Sequence, residues 1–374
     1  MKFPKNLNTL ASFNAVASNK KIVLFGGGNL CMKCLNTFLQ GRDISYIVDN
    51  NSSLTGTKLY GIDIVSPDRL SQENTSDIVI LITSIFIKAI MAQIETYGNF
   101  DVFSGRILIN TQFNQVAYDL FEHQKELEQV EGMLCDEISR HIFSECVYRR
   151  LTGEKNFSDL QLKAEPQYLL HSFHQNDPPK NEIIIDCGAY TGDTLKKFVD
   201  VYENTLVRYY AFEPTTDSLK ILEKAVHHYS QRNYAPNIII MPYGVLDEET
   251  TVDFALVTER STPNFIINAR KSAINNFWDS NRCHIKTVKL DDVIPADEKI
   301  TLIKMDIEES EYPALLGAER IIKMYKPRLA ISIYHSGLDY FRVALLIKRF
   351  VPEYKLAVRH HHKTHYDTVL YAYI

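Results

Sequence analysis

Residues 181–214 read NEIIIDCGAYTGDTLKKFVDVYENTLVRYYAFEP, and the order of the pieces in this stretch decides the fold. Ile183, Ile184 and Ile185 form a short run apolar on both faces, as a parallel strand covered by helices requires, and the run ends at Asp186. Gly188 and Gly192 follow, letting the backbone come close to a ligand where the strand turns into a helix starting near Thr191. A second apolar strand then closes at Glu213, about the distance downstream at which an acidic residue accepts the two hydroxyls of a ribose. Strand, glycine turn, helix, strand and carboxylate in this order make a nucleoside-binding βαβ unit.

The spacing bears on which nucleoside. A dinucleotide site uses G-x-G-x-x-G so that a pyrophosphate can lie against a helix N-terminus, whereas this chain has D-x-G-x-x-x-G-D, with an added carboxylate at Asp193. The charges of Asp186 and Asp193 repel a pyrophosphate and suit a phosphate-free cation such as S-adenosylmethionine. Further along, 300–308 (ITLIKMDIE) and 328–335 (RLAISIYH) read as buried strands ending in carboxylates and in a histidine, and 310–323 reads as one amphipathic helix between them. Ligands of an open α/β sheet bind outside the carboxyl ends of its strands, so Asp186, Glu213, Asp306, Glu308 and His335 are expected along one crevice.

The segments DCGAYTGD, AFEP, VKLDDVI, IKMDIEESE, KPRLAISIYH and YKLAVRHHHKTHYDTVLYAY stand in the order and spacing of the FkbM-type S-adenosylmethionine-dependent methyltransferases, which residues 181–374 resemble. The resemblance implies an α/β class I methyltransferase sheet, Rossmann-like, with a C-terminal antiparallel hairpin. It places the cofactor, S-adenosyl-L-methionine, against Asp186, Gly188, Ala189, Tyr190, Thr191, Gly192, Glu213, Pro214, Tyr243 and Gly244, and assigns no metal. The family usually has glycine where this chain has Glu309, while Asp306, Glu308 and Glu311 keep the pattern. The acceptor it implies is a hydroxyl of a sugar, glycan or related metabolite. Methyl transfer to a hydroxyl needs an in-line approach and a proton acceptor. His335 has a suitable intrinsic pKa for that base, with Asp306 or Glu308 orienting it or balancing its charge.

Composition agrees. A chain of 374 residues has room for two or three domains, and 45% hydrophobic with 23% charged residues is ordinary for a globular protein. A net charge of −5 argues against nucleic acid as a partner, and no apolar run reaches the length of a membrane span. The start MKFPKNLNTL lacks the apolar core of a signal peptide, so a cytoplasmic location is expected. The six cysteines show no pairing pattern, and the C-x-x-C of Cys31 and Cys34 reads as helix-packing thiols, having neither a redox context nor a second ligand pair for zinc.

Residues 1–110 make a second α/β unit: strand 21–25 (KIVLF), a turn at Gly26, Gly27 and Gly28, helix 29–39, strand 44–49 ending in Asp49, and strand 77–84 (DIVILITS). The unit resembles the Rossmann-like N-terminal domains of some sugar-modifying enzymes. Cys31 stands where a third glycine would sit, leaving open a nucleotide site, with Asp49 on a ribose, or a scaffold or dimerisation domain that kept the fold without the ligand. Residues 111–180 read as a helical connector whose periodicity allows a coiled-coil homodimer without requiring one, and QNDPPK at 175–180 marks its end. His360, His361, His362 and His365 fall in the loop of the expected hairpin, suited to substrate contact more than to a complete metal site. Ser261 and Thr262 fit either a substrate loop or a plain polar turn. An NAD-dependent oxidoreductase centred on the N-terminal glycines, and a non-catalytic two-domain scaffold, are the competing readings.

Overall fold

A computed structural model describes residues 1, 3–6, 8–109, 111–170, 181–231, 236–255, 265–266 and 282–374. The boundary at 175–180 and the pair Ser261 and Thr262 lie outside the described residues. The chain divides into two compact units. One holds 1–131, 143–159 and 363–365, and the other 132–142, 160–362 and 366–374. The helices Thr111–Glu122, Gln124–Met133 and Glu137–Thr152 between the sheets are therefore shared out between the units. Among the described residues no helix is long and apolar enough to cross a membrane.

The first unit is built on a six-stranded sheet of β1 (Lys21–Phe25), β2 (Ile44–Val48), β3 (Lys58–Leu59), β4 (Ile62–Val65), β5 (Ile78–Ile82) and β6 (Asp101–Ser104), in the order β3-β4-β2-β1-β5-β6. All neighbours run parallel except the β3–β4 pair. The interior strand β5, IVILI, is buried at every residue because helices cover both faces of a parallel sheet.

The second unit carries β7 (Glu182–Cys187), β8 (Leu206–Phe212), β9 (Asn237–Met241), β10 (Gly244–Val245), β11 (Thr250–Ala255), β12 (Phe265–Ile266), β13 (Arg282–Val288), β14 (Leu302–Met305), β15 (Arg328–Ser332), β16 (Lys355–His360) and β17 (Thr368–Tyr373). Seven of these form one sheet in the order β16-β17-β15-β14-β7-β8-β9, with β17 antiparallel to both of its neighbours, which is the expected class I sheet with its hairpin. A four-stranded sheet, β10-β13-β11-β12, is an addition that the apolar periodicity does not announce. The helix Asp193–Tyr202 buries Leu195, Phe198, Val199 and Tyr202 on the large sheet, each gaining about 1.5–3 kcal/mol over exposure. The helix expected over 310–323 is two helices, Glu311–Leu316 and Glu319–Tyr325. The second starts afresh because the Asp291 carboxylate accepts the N–H groups of Arg320 at 2.7 Å and Ile321 at 3.0 Å, taking the capping role from the preceding turn.

The two glycines after β7 answer to protein contacts before any ligand. Gly188 has φ +83°, and a Cβ there would lie 2.1 Å from the carbonyl oxygen of Asp306. Gly192 has φ +89° and caps the helix Asp193–Tyr202, where a Cβ would stand 3.1 Å from Ala225 and 3.3 Å from Leu222. On the facing strand end, Glu308 and Glu309 both take left-handed conformations, with φ +54° and +74°. The second of these is the position at which the family's usual glycine would carry no penalty.

These dihedrals set opposite expectations for two substitutions. Gly188→Ala should lower stability by about 3 kcal/mol or more, since both φ and space forbid the methyl. Glu309→Gly should raise it by about 0.5–1 kcal/mol, the relief of left-handed strain exceeding the extra chain entropy. Thermal denaturation followed by circular dichroism reads both, and a Gly188→Ala protein as stable as the parent would refute the assigned geometry.

Candidate active site

Strands β15, β14, β7, β8 and β9 are mutually parallel neighbours, so their carboxyl ends form one edge. In sheet order this edge presents His335, Asp306, Gly188, Glu213 and Tyr243, from strands about 4.8 Å apart.

Its middle is held by a residue that the sequence reading passed over. Lys304 of β14 stands opposite Asp186 of β7, both buried, with Nζ 2.8 Å from Oδ1. The same ammonium donates to the carbonyls of Gly188 at 2.8 Å and Cys187 at 3.2 Å, while the Tyr209 hydroxyl bonds the other Asp186 oxygen. Burial works against the charge on Lys304, but Asp186 and then Asp306 outweigh it and the pKa is raised. Asp186 therefore balances a protein cation inside the sheet and is not spare for a ligand's charge.

Glu213 occupies the position expected of a ribose acceptor. Its buried carboxylate takes the N–H of Thr215 at 2.9 Å and the Thr215 hydroxyl on Oε1, and the N–H of Tyr190 at 3.1 Å on Oε2. Burial raises its pKa, with the Thr215 and Tyr190 bonds opposing. A carboxylate oxygen has two lone pairs, so Oε2 keeps one for a further donor. Around it, Ala189 and Gly192 are buried, Thr191 and Pro214 half-buried, and Tyr190, at φ +46°, leaves 57% of its surface exposed. Tyr243 lies beside Glu213, since the Met241 carbonyl accepts the N–H of both. Gly244, the next residue, enters the added sheet, pairing with Thr287.

At the other end of the edge, His335 sits among carboxylates. Its Nε2 is 3.4 Å from Asp306 and 3.3 Å from Glu308, and its Nδ1 is 2.9 Å from Glu311. Neither ring nitrogen has an acceptor aligned with its N–H. Burial opposes a charge on this ring, but Glu308 and Glu311 outweigh it and hold its pKa well above the ordinary value. Asp306 accepts hydroxyls from Tyr168 at 2.7 Å and Tyr334 at 3.1 Å. Burial would raise its pKa, yet His335, Lys304 and Tyr168 keep it low. Glu311 is fully buried, its Oε1 taking the Ile307 N–H at 2.8 Å. Asp339 lies 2.7 Å from Arg342, and burial followed by the charge of Glu311 pushes its carboxyl up to about 7. Glu311, which keeps the family pattern, is thus the partner of His335, while Tyr168, Tyr334 and Asp339 join the site from segments that carry no pattern marking them as partners.

The histidines of the hairpin do not gather. His360 bonds Thr368 at 2.9 Å, His361 bonds the Tyr371 hydroxyl at 2.9 Å, and the ring of His362 lies 5.9 Å from that of Tyr366. Burial takes the His361 ring down to about 4. In the first unit, burial pushes the thiols of Cys31 and Cys34 up to about 11 and 12, as befits packing residues. Asp49 accepts the N–H groups of Gly27 at 2.6 Å on one oxygen and Asn51 at 2.8 Å on the other, tying the end of β2 to the glycine turn.

Residues 186–362 match the family model of the methyltransferase FkbM domain. Over 98% of this chain and 94% of the other, the fold is similar to the crystal structure of methyltransferase FkbM from Methylobacillus flagellatus KT, with 24% identity and a TM-score of 0.59. An rRNA methylase from Streptococcus thermophilus aligns over 52% of this chain and 86% of its own, at 14% identity and a TM-score of 0.30. No curated protein matches the sequence. With its glycine turn, strand-end Glu213 and acidic edge all inside the matched span, the chain carries a methyltransferase domain of the FkbM family and is an S-adenosylmethionine-dependent methyltransferase.

Proposed function

We propose that the second unit is an O-methyltransferase acting on a hydroxyl of a sugar, glycan or related metabolite, with the methyl donor at Glu213 and the acceptor at the Asp306 end of the same sheet edge. The observation that carries it is the separation of the two groups: Glu213 follows β8 and Asp306 follows β14, with β7 between them. A ligand held by its ribose at Glu213 thus has to extend across the Gly188 turn to reach the acids. The acceptor class rests on the family resemblance. When bound, S-adenosylmethionine supplies an activated methyl group, and the protein's work is alignment and proton removal.

Burial divides the labour at the acceptor end. The side chains of Asp306 and Glu308 are 24% and 25% exposed, whereas that of His335 is 3% exposed and lies behind them. An acceptor hydroxyl meets the carboxylates first. Asp306 already receives two tyrosine hydroxyls, so Glu308, one-quarter exposed with its buried Oε2 turned toward His335, is the group placed to take the proton. His335 acts through them as a positioning residue, in place of the base expected from its intrinsic pKa.

Two measurements test this. Glu213→Ala should weaken S-adenosylhomocysteine binding by about 10- to 150-fold in calorimetric titration, the loss of a hydrogen bond to a charged group costing about 1.5–3 kcal/mol; unchanged affinity in a folded variant would remove Glu213 from the donor site. Glu308→Gln should reduce transfer of labelled methyl to a responsive sugar acceptor by about 10²–10⁴-fold, leaving S-adenosylhomocysteine affinity within about threefold. Full turnover in that variant would show that the proton leaves by another route.

A further inference from the structure

We propose that Asp306, Glu311 and His335 bind one divalent cation of the Mn²⁺ type, placed to hold the acceptor oxygen; its catalytic role, though not the binding itself, rests on the methyltransferase reading above. One oxygen of Asp306, one of Glu311 and one ring nitrogen of His335 lie within 4.8 Å of one another. An octahedral ion with ligands about 2.1 Å away separates adjacent ligands by about 3 Å and opposite ones by about 4.2 Å, so atoms no more than 4.8 Å apart need only small side-chain movements to close on one ion.

A second observation points to a ligand. Both ring nitrogens of His335 and Oε2 of Glu311 are buried and make no aligned hydrogen bond, the ring meeting Glu311, Glu308 and Asp306 only as ion-pair neighbours at 2.9, 3.3 and 3.4 Å. Buried polar atoms are almost always hydrogen-bonded, and three without an aligned bond on two adjoining side chains are a place where a shared ligand belongs. The charges say which kind. Asp306, Glu308 and Glu311 share one imidazole, because Lys304 is engaged by Asp186 and Arg342 by Asp339. Two carboxylates with a neutral imidazole around a 2+ ion sum to zero, which makes burying them far less costly. Mixed oxygen and imidazole ligands suit Mn²⁺ and its first-row neighbours better than Ca²⁺ or Mg²⁺.

The site is open on the side the chemistry needs, since Asp306 is the exposed member of the three and stands on the edge that also carries Glu213. There the cation would coordinate the acceptor hydroxyl oxygen, take up the charge that grows as the O–H bond breaks, and leave Glu308 to receive the proton.

The test uses the full chain stripped with a chelator, titrated with Mn²⁺ alone and followed by electron paramagnetic resonance, with S-adenosylhomocysteine affinity measured alongside. The expected result is one bound Mn²⁺ per chain, electron spin-echo modulation from an imidazole nitrogen, and at least about tenfold weaker binding in Asp306→Asn and Glu311→Gln. The nitrogen signal needs no variant, so a misfolded Glu311→Gln protein does not spare the proposal. Wild-type protein that binds S-adenosylhomocysteine but no Mn²⁺ at millimolar concentration overturns the cation site and leaves the methyltransferase reading intact. Equal Mn²⁺ binding by the wild type and both folded variants, or a missing nitrogen signal, overturns it too. Mn²⁺ binding as expected, with S-adenosylhomocysteine binding absent, upholds the site and counts against the donor position only.

Discussion

A lysine ammonium sealed between two parallel strands organises the catalytic unit. Lys304 touches Asp186 across the sheet and two carbonyls of the turn that follows β7, so one charge fixes both the strand register and the path of the chain beyond it. An ion pair this deep adds little net stability over an apolar pair, but either partner alone would be a buried, uncompensated charge. The register is thereby the only tolerable one. Because the turn is pinned, Gly188 can lie against the Asp306 carbonyl, and Tyr190 can offer its N–H to Glu213. Both ends of the site hang from that contact.

The parts of the fold legible in the sequence were those in which an apolar run ends at a polar residue. The runs at Ile183–Ile185, VRYYAF and LAIS became β7, β8 and β15, and the place of Glu213 was readable because the second of these runs stops just before it. Asp186 meets the same criterion and has a protein partner, which stands 118 positions further on in another strand, where local spacing does not pair the two. The added sheet escaped notice for a related reason: β13, RCHIKTV, is polar at alternate positions, short of the apolar density that marks the main strands. The break between the helices Glu311–Leu316 and Glu319–Tyr325 depends on a carboxylate from a separate segment.

At the acidic end, chemistry was legible and geometry was not. Asp306, Glu308 and His335 could be grouped by strand order, yet which of them faces outward depends on backbone twist at Glu308 and Glu309. Two successive left-handed residues swing the chain after β14 so that Glu311, at the start of its helix, reaches back beneath His335. An imidazole that would have been a free base on an open edge becomes the floor beneath a pair of carboxylates.

Tyr168 carries a consequence for the order in which this enzyme becomes competent. Its N–H is held by the hydroxyl of Tyr371, 203 residues downstream, and its own hydroxyl reaches Asp306, 138 residues downstream. A ribosome that has delivered the glycine turn, Glu213 and even the acids has still not delivered a finished Asp306 end, because the strand that positions Tyr168 has yet to emerge. Contacts of such long sequence separation form late in folding, after loop closure has been met elsewhere. The nascent domain can therefore shape the Glu213 turn well before the Asp306 end is complete, and that end is finished only with β17.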